Sequence, residues 1–171
     1  EVKAVVPTWQ PSQYRRTTPL APDARDVERA ADLLLRAELP LIHAGSGVIH
    51  AQAHEALRTV AELLEAPVTT SWAARGVFDE ESPLALPMTH VKLNTLARND
   101  ADTVLIVGSR VGETDWWGKA PYWRLPSEQK TIQVDVDEAI IGANKPADVA
   151  IVADAGVFLP ALRARLEARR G

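Results

Sequence analysis

The sequence predicts a doubly wound α/β domain, a parallel sheet covered by helices on both faces. Three observations carry this. Apolar runs of strand length lie at 39–44, 67–70, 101–107, 131–134 and 149–152. Stretches of helical periodicity lie among them, and glycine, hydroxyl or acidic residues stand where the runs end. Near-continuous apolar strands alternating with helices are the mark of a sheet buried on both sides. The length, 171 residues, fits one domain and allows a sizeable core without staples. None are on offer, because the chain has no cysteine, which fits a reducing, cytoplasmic setting.

Residues 1–22 contain Pro7, Pro11, Pro19 and Pro22 among isolated apolar residues, and read as an extended linker. With Glu1 rather than Met at the start, this lead suggests a piece of a longer protein. The domain proper is expected over 23–171. Asp23 is a plausible N-cap for a first helix reaching Ala37, with Val27, Ala30, Ala31, Leu34 and Leu35 on one face. The strand at 39–44 ends in Gly45-Ser46-Gly47. A single long helix is then expected, its stripe running through Ile49, Ala53, Ala56, Leu57, Val60, Leu63 and Leu64. After the strand at 67–70 come a turn at Ala74-Arg75-Gly76, a short strand at 84–86 and a helix from His90. Strands at 101–107, 131–134 and 149–152 follow, and a last helix covers 155–168.

Open parallel sheets bind ligands beyond the carboxyl ends of their strands. Here those ends carry Gly45-Ser46-Gly47, then Thr69-Thr70-Ser71, Gly108-Ser109-Arg110, Asp135-Val136-Asp137 and Asp154. Glycines let backbone approach a phosphate, a cation supports it, and carboxylates accept ribose hydroxyls. The same residues also turn chains and cap helices in any α/β protein. A nicotinamide-type fingerprint is incomplete: His50 stands where a third glycine belongs, and Ser71-Trp72 where an acid belongs.

Other signals are weaker. His50 and His54 have a zinc-compatible spacing, but His-Ala-Gln-Ala-His lacks the glutamate of a metalloprotease motif and reads as a solvated flank. His43 reads as a hydrogen-bonded core histidine, and Ser46 is not in a nucleophile-elbow context. Trp116, Trp117, Tyr122 and Trp123 share a loop punctuated by Gly112, Gly118, Pro121 and Pro126, and are read as an interface anchor rather than a ligand lid. Nineteen basic and 23 acidic residues give a net charge of −4 without a basic run, which disfavours nucleic-acid binding. The apolar runs are far shorter than the about 20 residues of a membrane span.

The segments "LPLIHAGSGVIHAQAHEAL", "LLEAPVTTSWAARGVFDEESPLAL", "NDADTVLIVGSRVGETDWWG" and "KTIQVDVDEAIIGANKPADVAIVADAGVFLPAL" resemble, in order and spacing, the central domain of thiamine-diphosphate-dependent enzymes of the acetolactate synthase type. The lead "YRRTTPLAPD" resembles the linker that enters this domain. The resemblance implies a Rossmann-like fold of the DHS-like NAD/FAD-binding type. It also implies a parent lyase or transferase acting on 2-oxo acids, with pyrimidine- and diphosphate-binding domains elsewhere in the same chain and homo-oligomeric assembly. Thiamine diphosphate and Mg²⁺ are expected on those other domains, because the Gly-Asp-Gly and paired-Asn block that holds them is absent here, and "Asp154-Ala155-Gly156" is not that block. The glutamate that activates the cofactor belongs to the pyrimidine domain. The isolated domain is therefore expected to be inactive.

In some family members the central domain holds a non-redox FAD or an ADP. The places that would contact it match Gly45, Ser46, Gly47, Thr70, Gly108, Arg110, Asp135 and Asp154. Two departures weigh against FAD: Pro87-Met88 replaces a Gly-Met pair, and the segment after Arg110 is longer than the Asp-Arg-rich form. An ADP-like ligand or an empty cleft stays open. The alternatives are a free-standing nucleotide-binding module and a purely structural interaction domain.

Overall fold

The computed structural model describes residues 7–14 and 16–170. The segment expected to be a linker thus falls partly outside the described residues. From Pro7 to Pro22 its one regular feature among them is a 3₁₀ turn at Pro11–Gln13.

Helix α1 spans Ala24–Arg36, and the Asp23 carboxylate accepts a hydrogen bond from the Arg25 N–H, as an N-cap should. Strand β1 is Pro40–Ala44. The single helix expected next is two: α2, Ser46–His50, and α3, His54–Leu64. The break comes at Gln52, which takes a left-handed φ of 53°. Apolar periodicity runs through it because both helices bury the same side, Val48 on one and Leu57, Val60, Ala61 and Leu64 on the other. The chain continues through β2 (Val68–Thr70), β3 (Ala85–Leu86), α4 (Val91–Asp100), β4 (Thr103–Val107), β5 (Lys130–Asp135), β6 (Val149–Val152) and α5 (Ala155–Arg170).

The six strands form one sheet in the order β3-β2-β1-β4-β5-β6, every pair parallel. Strand alternation divides its residues between two faces. Ile42, Ala44, Val68, Leu105, Val107, Ile132, Val134, Val149 and Ile151 point to one face and join the buried side chains of α1, α2, α3 and α5 in the main core. The opposite face carries Leu41, Val104 and Ile106 but also His43, Thr69, Thr131 and Gln133, all buried. It is covered by α4 and by the long segment after β4, from which Trp123 enters the core fully buried. Within the described residues no helix is long and apolar enough to cross a membrane.

Candidate functional site

The strand order reverses between β1 and β4, where doubly wound folds open a ligand crevice. In this chain that point is closed by backbone. The Gly45 N–H donates to Val107 O (2.8 Å), Gly47 N–H to Gly108 O (3.0 Å) and Gly108 N–H to Val134 O (2.8 Å). A Cβ on Gly45 would stand 2.1 Å from Gly108 O, and one on Gly47 2.6 Å from Gly108 Cα. The glycines are thus required by the contact of two loops, and their amides are already engaged. Helix α2, five residues long, adds no helix-terminal anion site.

The open space lies one strand further along. A cleft of about 300 Å³ over the ends of β4, β5 and β6 is lined by Gly47, Gly108, Asp135 and Asp154, with His50 and Val136 at its wall. Asp135 Oδ1 accepts the Asp137 N–H (3.0 Å) and Asp154 Oδ1 the Gly156 N–H (2.7 Å), which fixes both carboxylates and leaves each a second oxygen. Burial pushes the Asp135 carboxyl up, and nearby Asp137 adds to this against the pull of the Asp137 and Val136 amides. The Asp154 N–H is held by Leu20 O (2.8 Å), so the lead segment is fastened beside the cleft.

The other expected site residues lie apart from these. Gly45 and Ser46 sit behind the closed crevice. Thr70 lines a small space with Phe78, Leu86 and Pro87 beyond β1. Arg110 is exposed, and its Nε lies 2.9 Å from where a Gly112 Cβ would be, so its side chain folds back along its own loop. The two histidines of the zinc-like spacing end up exposed on separate helices. Among the described residues no three His, Asp or Glu side chains converge on a point that could hold a metal ion.

Sequence reasoning missed a buried polar cluster on the second face. Asp115, 3% exposed, receives Arg98 Nη2 on Oδ1 (3.2 Å) and lies 3.4 Å from His43 Nε2 through Oδ2. Ser109 Oγ is 3.3 Å from the same His43 nitrogen. Arg98 also donates to Thr69 Oγ1 (3.4 Å), whose hydroxyl donates to Asn94 Oδ1. Its guanidinium carbon sits 4.6 Å from the Trp123 ring centroid and 5.8 Å from that of Trp116. Burial pushes the Asp115 carboxyl up, but the adjacent His43 and Arg98 outweigh it and hold it below the usual carboxylate range. Burial pulls the Arg98 guanidinium down against the opposing pull of Asp115.

Ser, His and Asp are together here without forming a proton relay. Both contacts use His43 Nε2, while Nδ1 has no partner among the described residues. A relay needs one partner on each ring nitrogen and a hydroxyl open to substrate. His43 is the core histidine its strand position predicts, and the cluster fastens a loop.

That fastening corrects the reading of the aromatic segment as an interface anchor. Trp123 is fully buried and donates from Nε1 to Asp115 O (2.8 Å), while Trp116 stacks on Tyr122 with centroids 4.3 Å apart. Trp117 alone of the four is left open, 46% exposed. Charge on Arg98 draws the rings inward, so they complete the core of this face. Lys145, 1% exposed, closes the group by donating to Arg124 O (3.1 Å), and burial pushes its ammonium down to about 8.

A parallel sheet in this order, with a small carboxylate-lined cleft beyond its strand ends, defines a Rossmann-like domain. Residues 27–162 match the thiamine pyrophosphate enzyme central domain, a stretch that includes all six strands. The chain belongs to that family. It is 36% identical over 166 residues to an acetolactate synthase of Mycobacterium bovis, covering 93% of this chain and 26% of the relative. It is also 36% identical over 162 residues to a sulfoacetaldehyde acetyltransferase of Rhodobacter capsulatus, covering 88% and 26%. An X-ray structure from Mycobacterium smegmatis, assigned as a thiamin diphosphate-dependent enzyme, aligns with a TM-score of 0.69 at 27% identity. That alignment covers 88% of this chain and 29% of the other. The chain spans about a quarter of the length of the curated relatives it matches. A free-standing nucleotide module gains no support, since each of these matches is to a segment of a longer chain.

Proposed function

We propose that this chain is the scaffold domain of a cytoplasmic, homo-oligomeric enzyme that acts on a 2-oxo acid by decarboxylation or carboligation. The family match enclosing the whole sheet carries this reading. Residues 1–22 serve as the linker into the domain at 23–171. Thiamine diphosphate would be held on other domains of the parent chain, where it would supply an electron sink for the 2-oxo acid. The described residues do not fit that cofactor or Mg²⁺: no three His, Asp or Glu side chains converge among them, and the Gly45, Gly47 and Gly108 amides that could meet a diphosphate are already engaged. Both are assigned to the pyrimidine- and diphosphate-binding domains of the parent chain. The test is carbon dioxide release from 2-oxo acids by the parent polypeptide. Release that requires both thiamine diphosphate and Mg²⁺ is expected, and release indifferent to them would overturn the reading.

Within this domain the cleft fits the nucleoside part of an ADP-like ligand better than FAD. Its roughly 300 Å³ is at the small end of ligand sites. Asp135 and Asp154 offer acceptors for ribose hydroxyls, beside the backbone of Gly47 and Gly108 at the cleft wall. Gly45 and Ser46 shape the neighbouring loop, Thr70 lines a separate space, and Arg110 would reach the cleft only by turning away from its own loop. Calorimetry on the 171-residue chain is expected to show ADP binding, weaker than wild type by about tenfold in Asp135→Ala. Unchanged affinity in Asp135→Ala and Arg110→Ala would remove these residues from the site.

A further inference from the structure

The lead segment and the cleft meet in one residue. Among the described residues a single hydrogen bond joins 7–22 to the rest of the chain, from the Asp154 N–H to Leu20 O (2.8 Å). The carboxylate of the same Asp154 lines the cleft. One residue earlier, the Ala153 N–H donates to the backbone oxygen of Asp135 (3.0 Å), the other acid of the cleft. Two consecutive amides therefore tie Asp135 and Leu20 to the same short stretch of backbone.

The Asp154 carboxylate is fixed to its own main chain. Its Oδ1 accepts the Gly156 N–H (2.7 Å), and its carbonyl accepts those of Val157 (3.0 Å) and Phe158 (2.9 Å), closing the first turn of α5. A Cβ on Gly156 would stand 3.0 Å from Ala51 O, so this turn also rests on a residue of the cleft wall. On the other side of the hydrogen bond, Pro19 fixes its own φ and Pro22 keeps Ala21 extended. Ala21 and Pro22 then run along α1 and α5, where they line a groove with Val27, Val157 and Ala161. A displacement of the lead thus reaches the carboxylate through one stiff turn.

We infer that the Leu20–Asp154 hydrogen bond is a latch through which a nucleotide in the cleft and the lead segment hold one another in place. This rests on the reading of the cleft as an ADP-like site. With the lead fastened, the free Asp154 oxygen is already set for a ribose hydroxyl. With it loose, that ordering falls to the ligand, so the coupling is positive. Such coupling is reciprocal, and a ligand here stiffens the segment proposed as the entry to the domain.

The two directions are measured separately, with far-UV circular dichroism confirming that each protein is folded. In calorimetry, a form beginning at Ala21 is expected to bind ADP about tenfold more weakly than the 171-residue chain. The chain has no cysteine, so Thr18→Cys takes a single spin label two residues from the latch. Saturating ADP is expected to shift its balance of mobile and fixed spectra by the same factor. Adding Asp135→Ala should leave that shift in place but move it to about tenfold more ADP. The label alone carries the test if the shortened form does not fold. ADP affinity indifferent to the lead, or a label indifferent to saturating ADP, would overturn the latch and leave the cleft as a site. Absence of ADP binding to the 171-residue chain would remove the site itself, and the latch with it.

Discussion

The two faces of this sheet are built on different chemistry. On one, strand residues from Ile42 to Ile151 are entirely apolar and meet apolar stripes from α1, α3 and α5. On the other, a buried arginine, aspartate, histidine and lysine share the space with Trp123. An apolar face gains from burial without directional demands, and its cost under mutation follows volume. The polar face holds an irregular loop, in which Val111, Trp116 and Trp117 all adopt positive φ, through hydrogen bonds that must be made together. The difference teaches that a long connection can be fixed as firmly as a helix when charges inside it are paired.

Measurements on both faces can break or sharpen this contrast. The largest effect is expected from Asp115→Ala, which leaves Arg98 buried without its anion, at a cost of about 3–5 kcal/mol in urea unfolding. Replacing both partners, as Arg98→Met with Asp115→Leu, should cost less than Asp115→Leu alone, a non-additivity that the cycle of these two substitutions reads directly. Equal, additive losses would mean the ion pair does not hold the face together. On the apolar side, Leu162→Ala should cost about 2–5 kcal/mol, with no dependence on pH.

The polar face should instead titrate. With the Lys145 ammonium pushed down to about 8 from 10.5, the unfolded chain holds a proton between these values that the folded chain lacks. Stability therefore rises as pH increases through that window, on the order of 2 kcal/mol, and Lys145→Met should flatten the rise in a calorimetric series. Asp115 works in the opposite range. Its depressed folded pKa gives stability that is present above the ordinary carboxylate range and lost as pH falls through the folded value. The smallest effect is the control outside both faces, Asp23→Ala at the N-cap of α1, about 1 kcal/mol without pH dependence above the carboxylate range.

The apolar face was legible in the sequence because burial there follows periodicity. Strand runs, the Asp23 cap and the turn at Gly76 all have local causes. The polar face was not, because nothing local distinguishes Arg98 or Asp115 from a surface residue. Their burial depends on one another and on a loop that closes far along the chain. Helix α4 is a like case, since Asn94 and Arg98 occupy its inward face while Leu93 and Leu96 are exposed. Of the strand-end residues, Asp135 and Asp154 come together in the cleft. The glycines at 45, 47 and 108 were legible as backbone approach, but toward another loop rather than a ligand.

The sheet ends in short strands, two residues in β3 and four in β6. Beyond β3 stands Pro87, which has no N–H to offer, and beyond β6 the Asp154 N–H is already held by Leu20. An incoming extended peptide thus finds little template on either side. The consequence is colloidal: with two residues in β3 and four in β6, crowded copies of this chain find only short edges for cross-strand pairing.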